Sequence, residues 1–230
     1  MKTAVLIPAL NEAGNIARVI ADIPPHVEAL VVVIDNGSSD ATPQTARNAG
    51  ATVLHEPLRG YGRACLKGIN YLQQLPPGQQ PDVVVFIDGD YSDYPAEMPL
   101  LLQPILLGQA ELVVGSRVLG KRQKGALTPQ QRFGNWLATQ ILRTLYGAVY
   151  TDLGPFRAIR WQTLQSLNMQ DLNFGWTVEM QLKAAKAKVK SIEVPVSYRP
   201  RSWGRSKVSG TVKGSFMAGY IILKTLFKHR

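Results

Sequence analysis

The sequence predicts an α/β protein in one domain, built on a mostly parallel central sheet with helices over both faces. Three observations carry that prediction. Short apolar runs at residues 4–7, 30–34, 52–55, 83–87 and 112–115 each end in polar residues and lead into a helix-like segment, the alternation that builds parallel strands joined by crossover helices. The run Val83-Val84-Val85-Phe86-Ile87 is apolar without alternation, as in a central strand covered on both faces. The 230 residues are 45% hydrophobic, enough for one core, and show no repeat, low-complexity tract or Gly/Ser linker that would mark a boundary.

Taken in order, the start through Pro8 has one basic residue and a short apolar run, which fits a first strand better than a secretory signal. A helix over 16–20 follows. After residue 126 the rhythm changes to a long helix over 129–150, a short segment at 156–159, a helix over 176–187 and a strand over 192–198. Trp136, Leu137, Ile141, Leu142 and Leu145 form an apolar stripe on the long helix. A last helix over 212–227 carries Phe216, Met217, Tyr220, Ile221, Leu223, Leu226 and Phe227 between Lys213, Lys224, Lys228 and Arg230. That is an amphipathic basic helix, suited either to a membrane surface or to packing on the domain. Its apolar stretch, 214–223, is shorter than the roughly 20 residues a bilayer core needs, so the expectation is a cytoplasmic protein, at most peripheral on the cytoplasmic face of a membrane.

Cys65, the one cysteine, lies between Ala64 and Leu66 as a small buried side chain would, and no disulfide can form within the chain. Lys and Arg number 26 against 16 Asp and Glu, a net charge of +10, which calls for an anionic partner: nucleic acid, acidic lipid or phosphate.

Chemistry is expected at the strand exits, because open parallel sheets bind ligands outside the carboxyl ends of their strands. Asp88-Gly89-Asp90 ends the buried run. Residues i and i+2 of an extended segment point the same way, so both carboxylates can reach one hard cation, Mg²⁺ or Mn²⁺, and Gly89 would let a ligand approach the backbone. Such an ion would bridge the phosphates of a donor and take up charge on the leaving diphosphate. An ordinary Asp-Gly turn is the competing reading. Asp35 ends the second run without a capping duty, whereas Asp40 suits a helix start, so Asp35 is the candidate for ligand contact. Glu12, beside Asn11, either meets a ligand or begins the helix over 16–20. Arg59-Gly60-Tyr61-Gly62-Arg63-Ala64 opens a helix and suits either an anion at its backbone N–H groups or a capped turn. It follows the third run, not the first, which argues against a dinucleotide site.

Together these motifs resemble glycosyltransferase family 2, in particular dolichol-phosphate mannose and glucose synthases. Pro8-Ala9-Leu10-Asn11-Glu12 resembles the family's opening motif and Val33-Ile34-Asp35-Asn36-Gly37-Ser38-Ser39-Asp40 its second-strand motif. Asp88 and Asp90 match its metal motif, Gly115-Ser116-Arg117 the motif after the next strand, and the segment from Tyr198 to Lys207 its late arginine and Gly-x-Ser-Lys. Where the family usually has a second aspartate this chain has Asn36, which leaves the base open. The resemblance implies a GT-A fold, a UDP- or GDP-linked sugar donor and a single inverting displacement. It implies donor contacts from Pro8, Asn11, Glu12, Asp35, Gly60, Asp88, Arg201, Ser206 and Lys207, with Arg199 in reserve for Arg201. Asp88 and Asp90 would hold the metal, which puts Asp90 at the reacting centre. Arg117, Arg132 and Asn135 would hold the phosphate of a polyprenyl or dolichyl acceptor, arginine's planar fork being suited to phosphate oxygens. Residues 1–116 would form the donor half and 117–230 the acceptor half.

A lipid phosphate, with a second pKa near ~6, needs positioning more than deprotonation. A hydroxyl acceptor, on a glycan or protein, would need a base, and Glu179 or Asp152 could serve or could instead partner an arginine. A nucleic-acid-binding module would account for the charge but gives no role to Asp35, Asp88 and Asp90, whose field repels a phosphate backbone. A sugar nucleotidylyltransferase would need a glycine-rich first loop that this chain lacks.

Overall fold

The computed structural model describes residues 1–204; the expected helix over 212–227, Ser206 and Lys207 lie outside them. Seven strands form one sheet: β1 (Thr3–Ala9), β2 (Ala29–Asp35), β3 (Thr52–His55), β4 (Val83–Phe86), β5 (Leu112–Ser116), β6 (Arg157–Arg160) and β7 (Ser191–Pro195), in the order β3-β2-β1-β4-β6-β5-β7. All neighbours run parallel except β6, which is antiparallel to both β4 and β5. The late part of the chain therefore inserts a strand into the middle of the sheet begun by the early part.

Alternation along the strands splits the core into two layers. Leu6, Ile34, Phe86, Val114 and Ile159 face one side, beneath α3 (Tyr61–Gln74), α5 (Pro129–Tyr146), α6 (Trp161–Leu167) and α7 (Trp176–Lys186). Ile7, Val33, Val85, Val113 and Ala158 face the other, beneath α1 (Ile16–Ala21), α2 (Thr42–Asn48) and α4 (Met98–Leu106). β4 is buried throughout, as its unbroken apolar run requires. Cys65 is a buried free thiol in the first layer. No helix among the described residues is long and apolar enough to cross a membrane.

Some boundaries differ from expectation for identifiable reasons. The long helix stops at Tyr146, not 150, because Gly147 takes a left-handed conformation (φ 64°) and its N–H returns to Arg143 O at 3.0 Å, a glycine C-terminal cap. Its start is a capping box that the sequence displays: Gln131 N donates to Thr128 Oγ1 at 3.2 Å and Thr128 N to Gln131 Oε1 at 2.9 Å. The last strand ends at Pro195; Tyr198 makes only isolated bridges, to Asp93 and Arg122.

The N-terminus of α3 is docked onto the segment before α7. Gly62 N donates to Asn173 O at 3.2 Å and Arg63 N to Leu172 O at 3.1 Å. A Cβ on Gly62 would stand 1.9 Å from Asp171 O, and one on Gly60 2.2 Å from Leu172 O. Gly62→Ala must push the 171–173 segment off the helix, and by analogy with overpacked cores should cost about 1–3 kcal/mol. The measurement is the urea midpoint at unchanged slope; an unaltered midpoint would mean the two segments are not in contact.

Candidate functional site

The exits of β1, β2, β4 and β5 share one rim, and the loops that leave them are tied together by side chains. Pro8 lies within β1, in register with Ile34. Asn11, in a left-handed conformation (φ 53°) that asparagine tolerates, links the loop after β1 to that after β2: its N–H donates to Ser38 Oγ at 2.9 Å and its Oδ1 accepts from Ser39 N at 2.8 Å. Asp35 is buried with both oxygens engaged, Oδ1 by Ser38 N at 3.0 Å and Oδ2 by His55 Nδ1 at 2.9 Å. It caps no helix, since α2 begins only at Thr42, but it holds the turn after β2, and the histidine at the end of β3 is a partner that sequence reasoning missed. Asp40 receives Thr42 N at 3.0 Å where α2 begins.

Glu12 does not begin α1, which starts four residues later. Its carboxylate is buried, takes Asn15 Nδ2 at 2.9 Å and pairs with Arg201. The other arm of the same guanidinium reaches Asp90 Oδ2 at 2.9 Å, while Asp90 Oδ1 accepts from Ser92 N at 2.9 Å. Arg201 thus spans the opening motif and the Asp88-Gly89-Asp90 motif. Arg199 has a different task. It lies over the rings of Tyr91 (3.5 Å) and Tyr94 (4.1 Å) and donates through Nε to Tyr91 O at 2.7 Å. It fastens the strip after β7 onto the segment after Asp90. Beyond it, Ser202 Oγ donates to Asn15 Oδ1 at 2.8 Å, and the Trp203 ring covers Gly14, where a Cβ would come within 2.7 Å of it.

Asp88 is half-buried as a residue, but its Oδ1 is closed off from solvent and has no hydrogen-bond partner among the described residues. Burial, and then repulsion from Asp90, push its carboxyl up to about 7. The Tyr61 phenol lies beside it. An orphaned, buried carboxylate next to a second one fits a divalent cation. No three acidic, His or Cys side chains gather into a metal cage among the described residues, so Asp88 and Asp90 would provide two oxygens and a bound diphosphate the rest, the partial protein coordination that Mg²⁺ favours. Gly89 lies against β1, where a Cβ would stand at ordinary contact distance, 3.4 Å, from Ala9 Cβ and Pro8 O.

The glycine loop is not an anion cradle. Gly60 N donates to Asn36 Oδ1 at 2.8 Å, and the N–H groups of Gly62 and Arg63 are taken by the 172–173 carbonyls. Asn36 also donates to Glu56 O at 3.2 Å and Leu58 O at 2.8 Å, so its amide organises the loop after β3.

At the exit of β5 Arg117 is gripped by Asp152: Arg117 N and Nε donate to Oδ2 at 2.8 and 2.7 Å, and Nη2 to Oδ1 at 2.7 Å. Burial alone would depress the guanidinium's pKa; the Asp152 charge outweighs it and raises it. Arg117 also lies 5.0 Å over the Tyr198 ring. Asn135 is spent on the same loop, donating to Thr151 O at 2.9 Å and accepting from Leu153 N at 2.8 Å. Arg132 is exposed one turn earlier on α5. Glu179 is buried and receives Asp171 N at 2.7 Å, Gln170 N at 3.0 and 3.1 Å, and Lys183 Nζ at 2.7 Å. Neither candidate base is open to an acceptor: both carboxylates are saturated by protein donors.

Residues 4–167 match the family profile described as Glycosyl transferase family 2. A glycosyltransferase of Mycobacterium tuberculosis is 36% identical over 215 residues, 93% of each chain. An undecaprenyl-phosphate mannosyltransferase of Micrococcus luteus is 28% identical, covering 93% of this chain and 90% of that one. Glucosyl-3-phosphoglycerate synthase of Mycobacterium tuberculosis, solved with Mn²⁺, UDP and glucosyl-3-phosphoglycerate, superposes with a TM-score of 0.77 at 23% identity over 99% of this chain and 79% of its own. That likeness shows the fold, which is GT-A.

The raised Asp88 carboxyl gives a pH signature with two signs. In the ligand-free protein the shift contributes stability below the unfolded-state value near 4, lost as pH rises through about 7. Cation binding needs the ionised form, so Mn²⁺ affinity, with its bound nucleoside diphosphate, should rise roughly tenfold per pH unit up to about 7 and then level off. Titration calorimetry from pH 5.5 to 8.5 checks it; a flat profile below 7 would remove Asp88 from the cation.

Proposed function

Because the chain belongs to glycosyl transferase family 2, we propose that it moves a hexose, with inversion, from a nucleoside diphosphate to the phosphate of a polyprenyl lipid at a membrane surface. The carrying observation is the sealed, unpartnered Asp88 Oδ1 beside Asp90 at the rim of the sheet, with Arg201 facing the pair. A divalent ion bound there would draw charge from the leaving diphosphate. Arg201 stands ready to take part of the same charge, since its guanidinium already reaches Asp90 and Glu12. The acceptor oxygen forms its bond to the anomeric carbon as the bond to the diphosphate oxygen breaks, and the electron pair leaves with the nucleoside diphosphate.

The choice of a phosphate acceptor is supported by what the carboxylates on the acceptor side are doing. With Asp152 held by Arg117 and Glu179 by Lys183 and two backbone N–H groups, neither of these carboxylates stands ready as a base, and a phosphate needs none. The relative from Micrococcus luteus is named for such an acceptor. A lipid substrate is supported by α5, where Phe133 and Trp136 are exposed with rings 5.9 Å apart next to exposed Arg132, and by the loop that precedes it, which exposes Val118, Leu119, Lys121, Arg122 and Lys124. Aromatic side chains rimmed by cations suit an anionic bilayer surface. The carboxylates gathered at the sheet's rim favour this over a nucleic-acid partner.

Incubating the protein with Mn²⁺, radiolabelled UDP-glucose or GDP-mannose, and vesicles containing undecaprenyl phosphate should yield a lipid-linked hexose. Transfer only to 3-phosphoglycerate or to glycan hydroxyls would overturn the lipid acceptor. Glu179→Gln should keep turnover within about threefold while lowering thermal stability, since it loses the buried pair with Lys183; a loss of turnover of a hundredfold or more with intact folding would restore Glu179 as the base.

A further inference from the structure

Asp93 belongs to none of the motifs above, yet it lies where the two halves of the site meet. It is 1% exposed, and neither of its carboxylate oxygens has a hydrogen-bond partner among the described residues. Burial, and then the charge of Asp88, push its carboxyl well above the usual range; Arg117 works against them, and Asp90 and Asp152 add to the rise. Its backbone is fixed: it pairs with Tyr198 in an antiparallel bridge, and its carbonyl accepts from Arg199 Nη2 at 3.3 Å.

We propose that Asp93 accepts hydrogen bonds from hydroxyl groups of the hexose carried by the donor, and so helps decide which hexose the enzyme transfers. This rests on reading the site as one for a nucleoside diphosphate sugar. Burying a carboxylate without partners is costly, and a chain retains such a group where a ligand completes it. The ligand must supply donors. Phosphate oxygens are acceptors and supply no donor, and an apolar chain offers nothing. Vicinal hydroxyls of a sugar ring offer paired O–H donors that fit the two oxygens of one carboxylate. Position agrees, since the transferred sugar must lie between the diphosphate at Asp88 and Asp90 and the acceptor beside Arg117.

The test is titration calorimetry without acceptor on the wild type, Asp93→Asn and Asp93→Ala, using Mn²⁺ with UDP and UDP-glucose, and with GDP and GDP-mannose. Both variants should bind the free diphosphate within about twofold of wild type and bind its sugar conjugate roughly ten- to hundredfold more weakly, the range for a hydrogen bond to a charged group. Their ligand-free melting temperature should be unchanged or higher, since a buried carboxyl without hydrogen-bond partners is gone. Equal losses for diphosphate and conjugate would make Asp93 a cation or diphosphate ligand, and unchanged affinity for both would take it out of the donor site; either overturns the proposal. Failure of both variants to fold would make Asp93 structural and overturn it too. Wild type that binds neither diphosphate would bring down the nucleotide-sugar reading itself, whereas wild type that binds them while the variants behave as wild type refutes Asp93 alone. A second arm on wild type uses deoxy-sugar conjugates: at least one missing hydroxyl should cost tenfold or more, and no loss at any position would refute the assignment.

Discussion

Glu12, Asp88, Asp90 and Asp93 converge on one rim of the sheet, and their mutual repulsion in a partly desolvated setting is the constraint that the surrounding structure answers. Like charges there cannot all remain ionised without compensation. Arg201 supplies part of it by spanning Glu12 and Asp90. To bring that guanidinium to the rim, the chain leaves β7 and crosses back over the donor loops, with Tyr198 bridging Asp93 and Arg199 stacked on Tyr91 and Tyr94. The Trp203 ring on Gly14 and the Ser202–Asn15 hydrogen bond fasten the far end. What remains uncompensated is Asp88 Oδ1 and both oxygens of Asp93.

The second half of the chain treats charge in the opposite way. Asp152 is saturated by Arg117, and Glu193 accepts from Thr151 N at 2.8 Å, Thr151 Oγ1 at 2.9 Å and Asp152 N at 3.0 Å. Buried Arg157 spends its donors on carbonyls, among them Gly154 O at 3.1 Å and Thr177 O at 3.0 Å; burial lowers its pKa. Saturated groups of this kind fix loop geometry, because each one lost would leave its partner buried and unsatisfied. Unsaturated ones are places where a ligand completes the set. Asp88 Oδ1 and both oxygens of Asp93 stand apart from these saturated groups, and also from Asp90, whose two oxygens are engaged by Arg201 and Ser92 N.

That division explains what the sequence could and could not show. Strand order of appearance, the buried β4, the inert Cys65 and the clustering of Glu12, Asp88, Asp90 and Arg201 follow from local pattern and from motifs near strand ends. The antiparallel insertion of β6 between β4 and β5 does not, since Arg157-Ala158-Ile159-Arg160 carries no sign of its direction. Gly60 and Gly62 have the composition of an anion-binding turn, and only the placed Asn36 side chain and Asn173 carbonyl reveal that their N–H groups are occupied. Glu179 and Asp152 have the residue type of a base, but their saturation depends on Lys183, Arg117 and backbone donors brought in by tertiary packing. Asp93 was missed for the converse reason: it falls outside the i, i+2 pattern of its neighbours, and its isolation is visible only once everything around it is placed.

The two kinds of carboxylate also constrain the order of groups along the reaction axis. On the proposed reading an acceptor that brings its own negative charge is served by Arg117 and Arg132, but it would offer Asp93 no hydrogen-bond donor if the two faced one another directly. A sugar interposed between them removes the conflict, because its hydroxyls can satisfy the carboxylate while its anomeric carbon faces the incoming oxygen. On the proposed reading, a donor whose hexose leaves Asp93 unsatisfied is penalised by a buried polar group without partners and not merely by a missing contact, which is the form of discrimination that buried polar sites achieve most strongly.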